Sequence, residues 1–171
     1  MLTAFRKLEP RDESAFRLAH SKTPQERRMD FAQYWEPSLE FDDYLRILSD
    51  RERGVDFKDG HVPSTQLYAF VDKLIAGRLS IRHRLNEFLT NVGGHIGFIV
   101  VPEFRRRSVA YEMLIRSLDH CRSRNLKRVL LTCDEGNFAS QKTIEKAGGV
   151  FENHFKSETL EFPKRRYWIE L

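Results

Sequence analysis

The chain has little cysteine. Its two cysteines, Cys121 and Cys133, stand far apart and in no metal-ligand spacing, so both read as free buried thiols. No apolar run is long enough to cross a membrane. Met1 to Leu8 lacks the apolar core of a signal peptide and reads as a strand, which makes the cytoplasm the expected location. A phosphate-binding Gly-rich loop ending in Lys-Ser/Thr is missing, and so is a nucleophile elbow. These absences argue against NTPases and against hydrolases of that kind. Repeats, low-complexity tracts and linkers are also absent, so residues 1–171 are expected to form one domain. The charge is only mildly unbalanced, 29 Lys and Arg against 25 Asp and Glu, a net +4. Most of that excess is solvated surface. It suits an anionic ligand better than it suits nucleic acid, which needs a continuous basic face.

What is present centres on Gly93 to Ala110. Ile96 to Val101 is a short apolar run that reads as a buried strand. Pro102 ends it, having no N–H for a sheet ladder. Arg105, Arg106 and Arg107 follow, and then a helical pattern begins. A strand that feeds a cationic turn at a helix start is suited to holding a phosphate.

The other elements follow from their periods. Thr3 to Leu8 is a first strand, and Asp12 opens a short helix. Residues 21–38 read as loop with a helical turn near Phe31 to Trp35, and Leu39 to Ser49 as a helix. Arg51 to Pro63 is loop. Thr65 to Val71 alternates, Asp72-Lys73 turns, and Leu74 to Arg82 returns, with Gly77 marking a bulge or a close backbone approach. His83 to Asn91 is a connection anchored by Leu85, Phe88 and Leu89. Val109, Met113, Leu114, Leu118 and Cys121 share a helix face, and Asn125 is suited to cap its end. Arg128 to Cys133 is a second buried strand. Asn137 caps a helix over Phe138 to Ala147, which Gly148-Gly149 ends. Val150 to Phe155 and Arg166 to Leu171 are the last strands. The order is β-α-α-β-β-β-α-β-α-β-β, an α/β class with a mixed, mainly antiparallel sheet and helices on both faces.

The chemistry-bearing residues are few. The polar group after the second buried strand, Asp134 to Ser140, lies where ligands of open α/β sheets collect. Asn137 can cap a helix there and still contact a ligand. His83 and His95 are the histidines nearest this region. Tyr34, Trp35, Tyr44, Tyr68 and Trp168 read first as core or rim.

Two motifs together with the element order resemble the GNAT superfamily of acyl-CoA-dependent N-acetyltransferases. Its phosphate-loop pattern, Gln/Arg-x-x-Gly-x-Gly/Ala, is met at Arg105 and Ala110, with Ser108 in place of the central Gly. Its later pattern is met at Asn137, Ser140, Glu145-Lys146 and Gly148. Arg82-His83-Arg84-Leu85-Asn86, Gly93 to Gly97, and Arg166 to Ile169 are similar to a bacterial branch of predicted acetyltransferases. The resemblance covers residue 62 onward well and the first third loosely.

The resemblance implies a GNAT-like domain with a splayed parallel strand pair and acetyl-CoA as acyl donor, without a metal. Phe98, Ile99 and Val100 would meet the pantetheine arm. Arg105, Arg106, Arg107, Ser108, Val109 and Ala110 would hold the pyrophosphate, with Asn137 and Ser140 on the arm. Transfer would go directly to a primary amine, of a small molecule in the first place and of a protein in the second. No nucleic acid or membrane partner is expected, and the chain would act as a monomer or homodimer.

Two departures stand out. Ser108 costs stability or affinity if the position takes positive φ, and adds a hydrogen bond if it is helical. Ile144 stands where many members carry the Tyr that protonates the leaving thiolate, leaving Cys133 or a water held by Asn137 or Ser140 as substitutes. His95 and His83 are the candidate bases. The alternative is a non-catalytic acyl-CoA binder or sensor.

Overall fold

The structure, a computed structural model, describes residues 1–24, 30–55 and 60–171. The first strand, β1 (Ala4–Arg6), leads through a 3₁₀ turn at Pro10–Asp12 into α1 (Glu13–Lys22). Pro10 suits that start because its missing N–H would be unpaired there anyway. Helix α2 (Phe41–Arg53) has Asp42 and Asp43 in its first turn and Arg51 and Arg53 in its last, the order its dipole favours. Gly54, in the left-handed region at φ 81°, ends it. The helix thus runs past Ser49 into the stretch expected to be loop. Part of the loop expected over residues 21–38, and part of that over 51–63, lies outside the described residues.

The hairpin is β2 (Ser64–Val71) and β3 (Leu74–Arg82). Its register shifts between Ala69 and Phe70, so the strand does bulge near Gly77. Gly77 is also a close approach: a Cβ there would lie 2.8 Å from the Ile99 carbonyl oxygen and 2.9 Å from Met113 Cε. After a π-helical turn at Leu89–Gly93 comes β4 (Ile96–Val100). This turn was not expected. Of the anchors read there, Leu89 is buried but Phe88 is exposed. Helix α3 (Val109–Ser123), β5 (Arg128–Asp134), α4 (Phe138–Lys146), β6 (Val150–Phe155) and β7 (Lys164–Glu170) complete the chain. Asn125 takes φ 60° just past α3, as an Asn at a helix end does.

Seven strands form one sheet in the order β1-β2-β3-β4-β5-β7-β6. Each neighbouring pair is antiparallel except β4 with β5. Helices α3 and α4 pack on one face, where Val109, Met113, Leu114, Leu118 and Cys121 are buried as their spacing requires. On the other face α1 and α2 cover the β2–β3 half through an aromatic cluster. Phe16 is its centre, with ring centroids of Tyr44, Trp35 and Phe41 at 5.0, 5.3 and 5.5 Å. The Leu89–Gly93 turn covers β5 and β7 on that same side, and the Thr132 hydroxyl donates to its Val92 carbonyl.

Candidate functional site

Strand β4 is paired with β3 along its whole length, from Ile96 opposite Ile81 to Val100 opposite Gly77. Toward β5 it is paired only where Ile96 faces Leu131. Two parallel strands with a single pairing must diverge, and main-chain groups on the facing edges are left to seek partners. Phe98, Ile99 and Val100 lie on the open length. At the closed end the join is held by His95. Its N–H donates to the Leu130 carbonyl at 2.7 Å, and its Nδ1 accepts the Leu130 N–H at 2.9 Å. A side chain here takes the acceptor role that a neighbouring strand would otherwise fill.

The open end of the gap leads to the arginine turn. A 3₁₀ turn at Pro102–Phe104 stops β4, and Arg105 is extended. Arg106 and Ser108 then take φ 62° and 59°, and Val109 begins α3. Left-handed and right-handed residues in alternation turn successive N–H groups into one concavity, to which the helix N-terminus adds partial positive charge. Ser108 therefore occupies the positive-φ state, where a Gly would be unstrained. The guanidinium groups are peripheral: Arg105, Arg106 and Arg107 are exposed, Arg105 Nε donates to the Val100 carbonyl at 3.2 Å, and Arg107 lies over the Phe104 ring. Val109 is buried and Ala110 half-buried behind the turn.

At the end of β5, Asn137 caps α4 by accepting the Ser140 N–H on Oδ1 at 3.1 Å. Asn137 and Ser140 are thus brought together, and the amide nitrogen of Asn137 is not spent on the cap. Ile144 is buried, so close to Gly149 that a Cβ there would lie 2.5 Å from Ile144 Cγ2. Cys133, on the same side of the sheet, has its thiol pushed up to about 12, chiefly by burial. Tyr167, opposite Leu131, accepts from Arg165 Nε at 2.7 Å and donates to Glu145 at 3.1 Å.

The two histidines do not converge. His83 hydrogen-bonds Thr65 through Nε2 at 2.9 Å and meets Arg124, at the end of α3, through Nδ1 at 3.3 Å. An arginine only donates, so Nδ1 accepts and the ring proton is on Nε2. His95 has the same tautomer, because its Nδ1 accepts from Leu130. Both are pushed down to about 4, first by burial and next by Arg124 for His83 and by Arg82 for His95.

A further set of residues was not singled out as site residues from the sequence. Strand β3 reads Leu-Ile-Ala-Gly-Arg-Leu-Ser-Ile-Arg, and Arg78, Ser80 and Arg82 alternate with Leu79 and Ile81. That period-two polar stripe inside a buried strand was the available signal. The stripe points away from α3 and α4. Arg78 is buried and donates to the main-chain oxygens of Asp30 and Phe31 and to Gln66. Arg82 donates to the Gly93 carbonyl at 3.1 Å and lies over β4, where a Cβ on Gly97 would stand 3.0 Å from its Nη1. Gly97 is the first residue beyond the single β4–β5 pairing, so this guanidinium sits at the closed end of the gap, where the strands begin to part.

The family model for the GNAT acetyltransferase domain matches residues 4–150. It takes in the first third, where the resemblance read from the sequence was loose. A search of curated proteins finds no match. Among solved structures, a ribosomal alpha-N-protein acetyltransferase in complex with coenzyme A is similar with a TM-score of 0.67 at 17% identity, covering 99% of this chain and 95% of its own. A chimeric spermidine N-acetyltransferase from Vibrio cholerae gives 0.63 at 19% identity, over 98% and 94%. The protein yncA of Salmonella typhimurium, with its cofactor acetyl-CoA, gives 0.62 at 12% identity, over 98% and 93%. These likenesses concern the fold.

Proposed function

The chain belongs to the GNAT acetyltransferase family, and from that premise we propose that it moves an acetyl group from acetyl-CoA to the primary amine of a small molecule. The observation that carries this is the one-sided opening of β4 from β5, which ends at the concave turn Arg105 to Ala110. A gap lined by unpaired strand edges suits the amides of a pantetheine arm, as an added strand does. The turn beyond it suits a pyrophosphate, held by the N–H groups of Arg106 to Ala110 more than by the arginine side chains. Asn137 and Ser140 flank the arm. A main-chain N–H near Phe98 or Ile99 is the proposed donor to the thioester oxygen.

The thioester supplies an activated acyl carbon. The neutral amine attacks it, the C–N bond forms, the C–S bond breaks, and the thiolate leaves while the amine proton passes to water. His83 is left out of this proposal, since both its ring nitrogens are engaged away from the gap. His95 is assigned as a positioning residue: accepting a proton at Nδ1 would break the bond that closes the gap. Cys133 is not assigned as acid. A thiol near pKa 12 does not readily protonate a thiolate whose ordinary pKa is about 8.5. With Ile144 in the core, departure as free thiolate, reprotonated by water, is the proposed route.

The test is calorimetric titration with acetyl-CoA, followed by CoA release on an amine panel. Tight binding with release on some amine is the expected result. Binding with no release across a broad panel would favour a sensor, and no binding would remove the proposal.

A further inference from the structure

The sheet face opposite α3 and α4 has a chemistry of its own at the gap. Adjacent strands place Gln66, Ser80, Gly97, Thr132 and Arg166 in one row across it, and Ser64, Arg82, His95, Leu130 and Trp168 in the next. Among the described residues, three buried side-chain atoms without a hydrogen-bond partner belong to these rows: Ser80 Oγ, Arg166 Nε and Trp168 Nε1. Ser80 itself is 1% exposed. His95 joins the two halves, with its ring centroid 6.2 Å from that of Trp168 and Arg82 near enough to depress its basicity.

Each of these groups can donate. Arg82 uses Nη1 on Gly93 and keeps Nε and Nη2. Ser80 has its hydroxyl, Trp168 only an N–H, and His95 carries its proton on Nε2 because Nδ1 is taken. Neither Arg78 nor Arg82 forms a salt bridge among the described residues. Asp30, beside Arg78, gives it a main-chain oxygen and turns its own carboxylate to the Ala32 N–H. Burial, then the Arg78 guanidinium, pushes Arg82 down to about 10, with the Tyr34 hydroxyl opposing. A buried cation, Arg78, and a half-buried one, Arg82, with no carboxylate paired to either among the described residues and with unspent donors around them, are costly unless something supplies negative charge and acceptor oxygens.

We propose that this donor-lined face is the acceptor subsite, and that Arg82 with Ser80 holds a carboxylate of the acceptor, so that the substrates are primary amines that also carry a carboxylate. This rests on the transferase reading above. The planar fork of Arg82 matches a carboxylate, and Gly97 leaves room for the two to meet beside the open strand edge. Polyamines fit poorly. Glu36, Glu40 and Asp42 are exposed, and Asp43 pairs with Arg46, so these carboxylates are solvated or already paired.

The test uses the full chain, acetyl-CoA and matched acceptors: α-amino acids, their carboxamides, spermidine and phosphoethanolamine, compared at equal neutral-amine concentration. The acids should exceed their amides at least tenfold in kcat/KM, with spermidine lowest. Arg82→Lys keeps the charge and loses the fork. It should raise KM for the acids roughly 10–100-fold, the worth of a charged hydrogen bond, and affect the amides far less. Ser80→Ala should act in the same direction but less. Amides or spermidine used as well as the acids would overturn the subsite, as would an equal loss on acids and amides in Arg82→Lys. Preference for phosphoethanolamine would overturn the carboxylate assignment. If acetyl-CoA binds and no amine is consumed, the transferase reading fails. The subsite is then judged by calorimetric binding of the acids to the CoA-loaded protein, and absence of binding overturns it.

Discussion

Ser108 carries its cost in the free protein. At φ 59° a non-Gly residue is strained by about 1–2 kcal/mol. Glycine would remove that strain and lose about 0.4–1 kcal/mol to the entropy of the unfolded chain. Ser108→Gly should therefore stabilise the fold by about 0.5–1 kcal/mol, a Tm rise of roughly 1–4 °C for a chain of this size. Strain present both with and without ligand cancels from affinity, so the Kd for CoA should move by less than about threefold. Melting curves and calorimetry check the pair; a large gain in affinity with no gain in Tm would mean the strain arises on binding. His95 is separable in a similar way. His95→Ala leaves the buried Leu130 N–H unpaired and should cost about 1–3 kcal/mol in urea unfolding. In His95→Asn the side-chain oxygen can replace Nδ1, so most of that loss should be recovered. A base required for chemistry would instead be lost in both variants, with kcat falling alike.

The β4–β5 gap belongs to the element scale. It exists because β4 satisfies its β3 edge fully and its β5 edge once. Its position is set from behind by Gly77, over which the Ile99 carbonyl and Met113 close down. Gly77→Ala would press β4 and α3 outward. Overpacking of this kind costs about 1–3 kcal/mol, and a displaced β4 should also weaken CoA binding, read by urea midpoint and calorimetry together. Unchanged affinity in a destabilised variant would uncouple β4 from the donor site. The strands, α3 and α4 were legible because each has a strong period and a chemical stop: Pro102 after β4, Asn137 before α4, Gly148 after it. The Leu89–Gly93 turn was not, because Thr90-Asn-Val-Gly has no period and is held by tertiary contacts, the Thr132 hydroxyl on Val92 among them.

For the whole molecule, pH is a sensitive variable. His83 and His95 titrate near 4 when folded and near 6.5 when unfolded. Between those values the unfolded chain binds more protons, so stability rises with pH. Their contribution is intact above about pH 6.5 and is lost as pH falls toward 4. Urea midpoints measured from pH 7 to 4 should fall across that window, and His95→Asn should flatten part of the slope. A flat profile in the wild type would show that neither ring is buried neutral.

The sequence by itself determined the element order, the cationic turn at a helix start and the Asn137 cap, because these depend on neighbours a few residues apart. It also contained the stripe Arg78, Ser80, Arg82, but that stripe could have met solvent. Only the tertiary structure decided that its Arg82 end lies beside a gap. Register between β3 and β4 set Gly97 opposite Ser80 and within reach of the Arg82 guanidinium, and a single β4–β5 pairing opened the sheet beside it. It likewise decided the histidines: their candidacy as bases came from residue type, whereas Leu130, Thr65 and Arg124 assign their protons. Such pairings join residues tens of positions apart, and no local period records them.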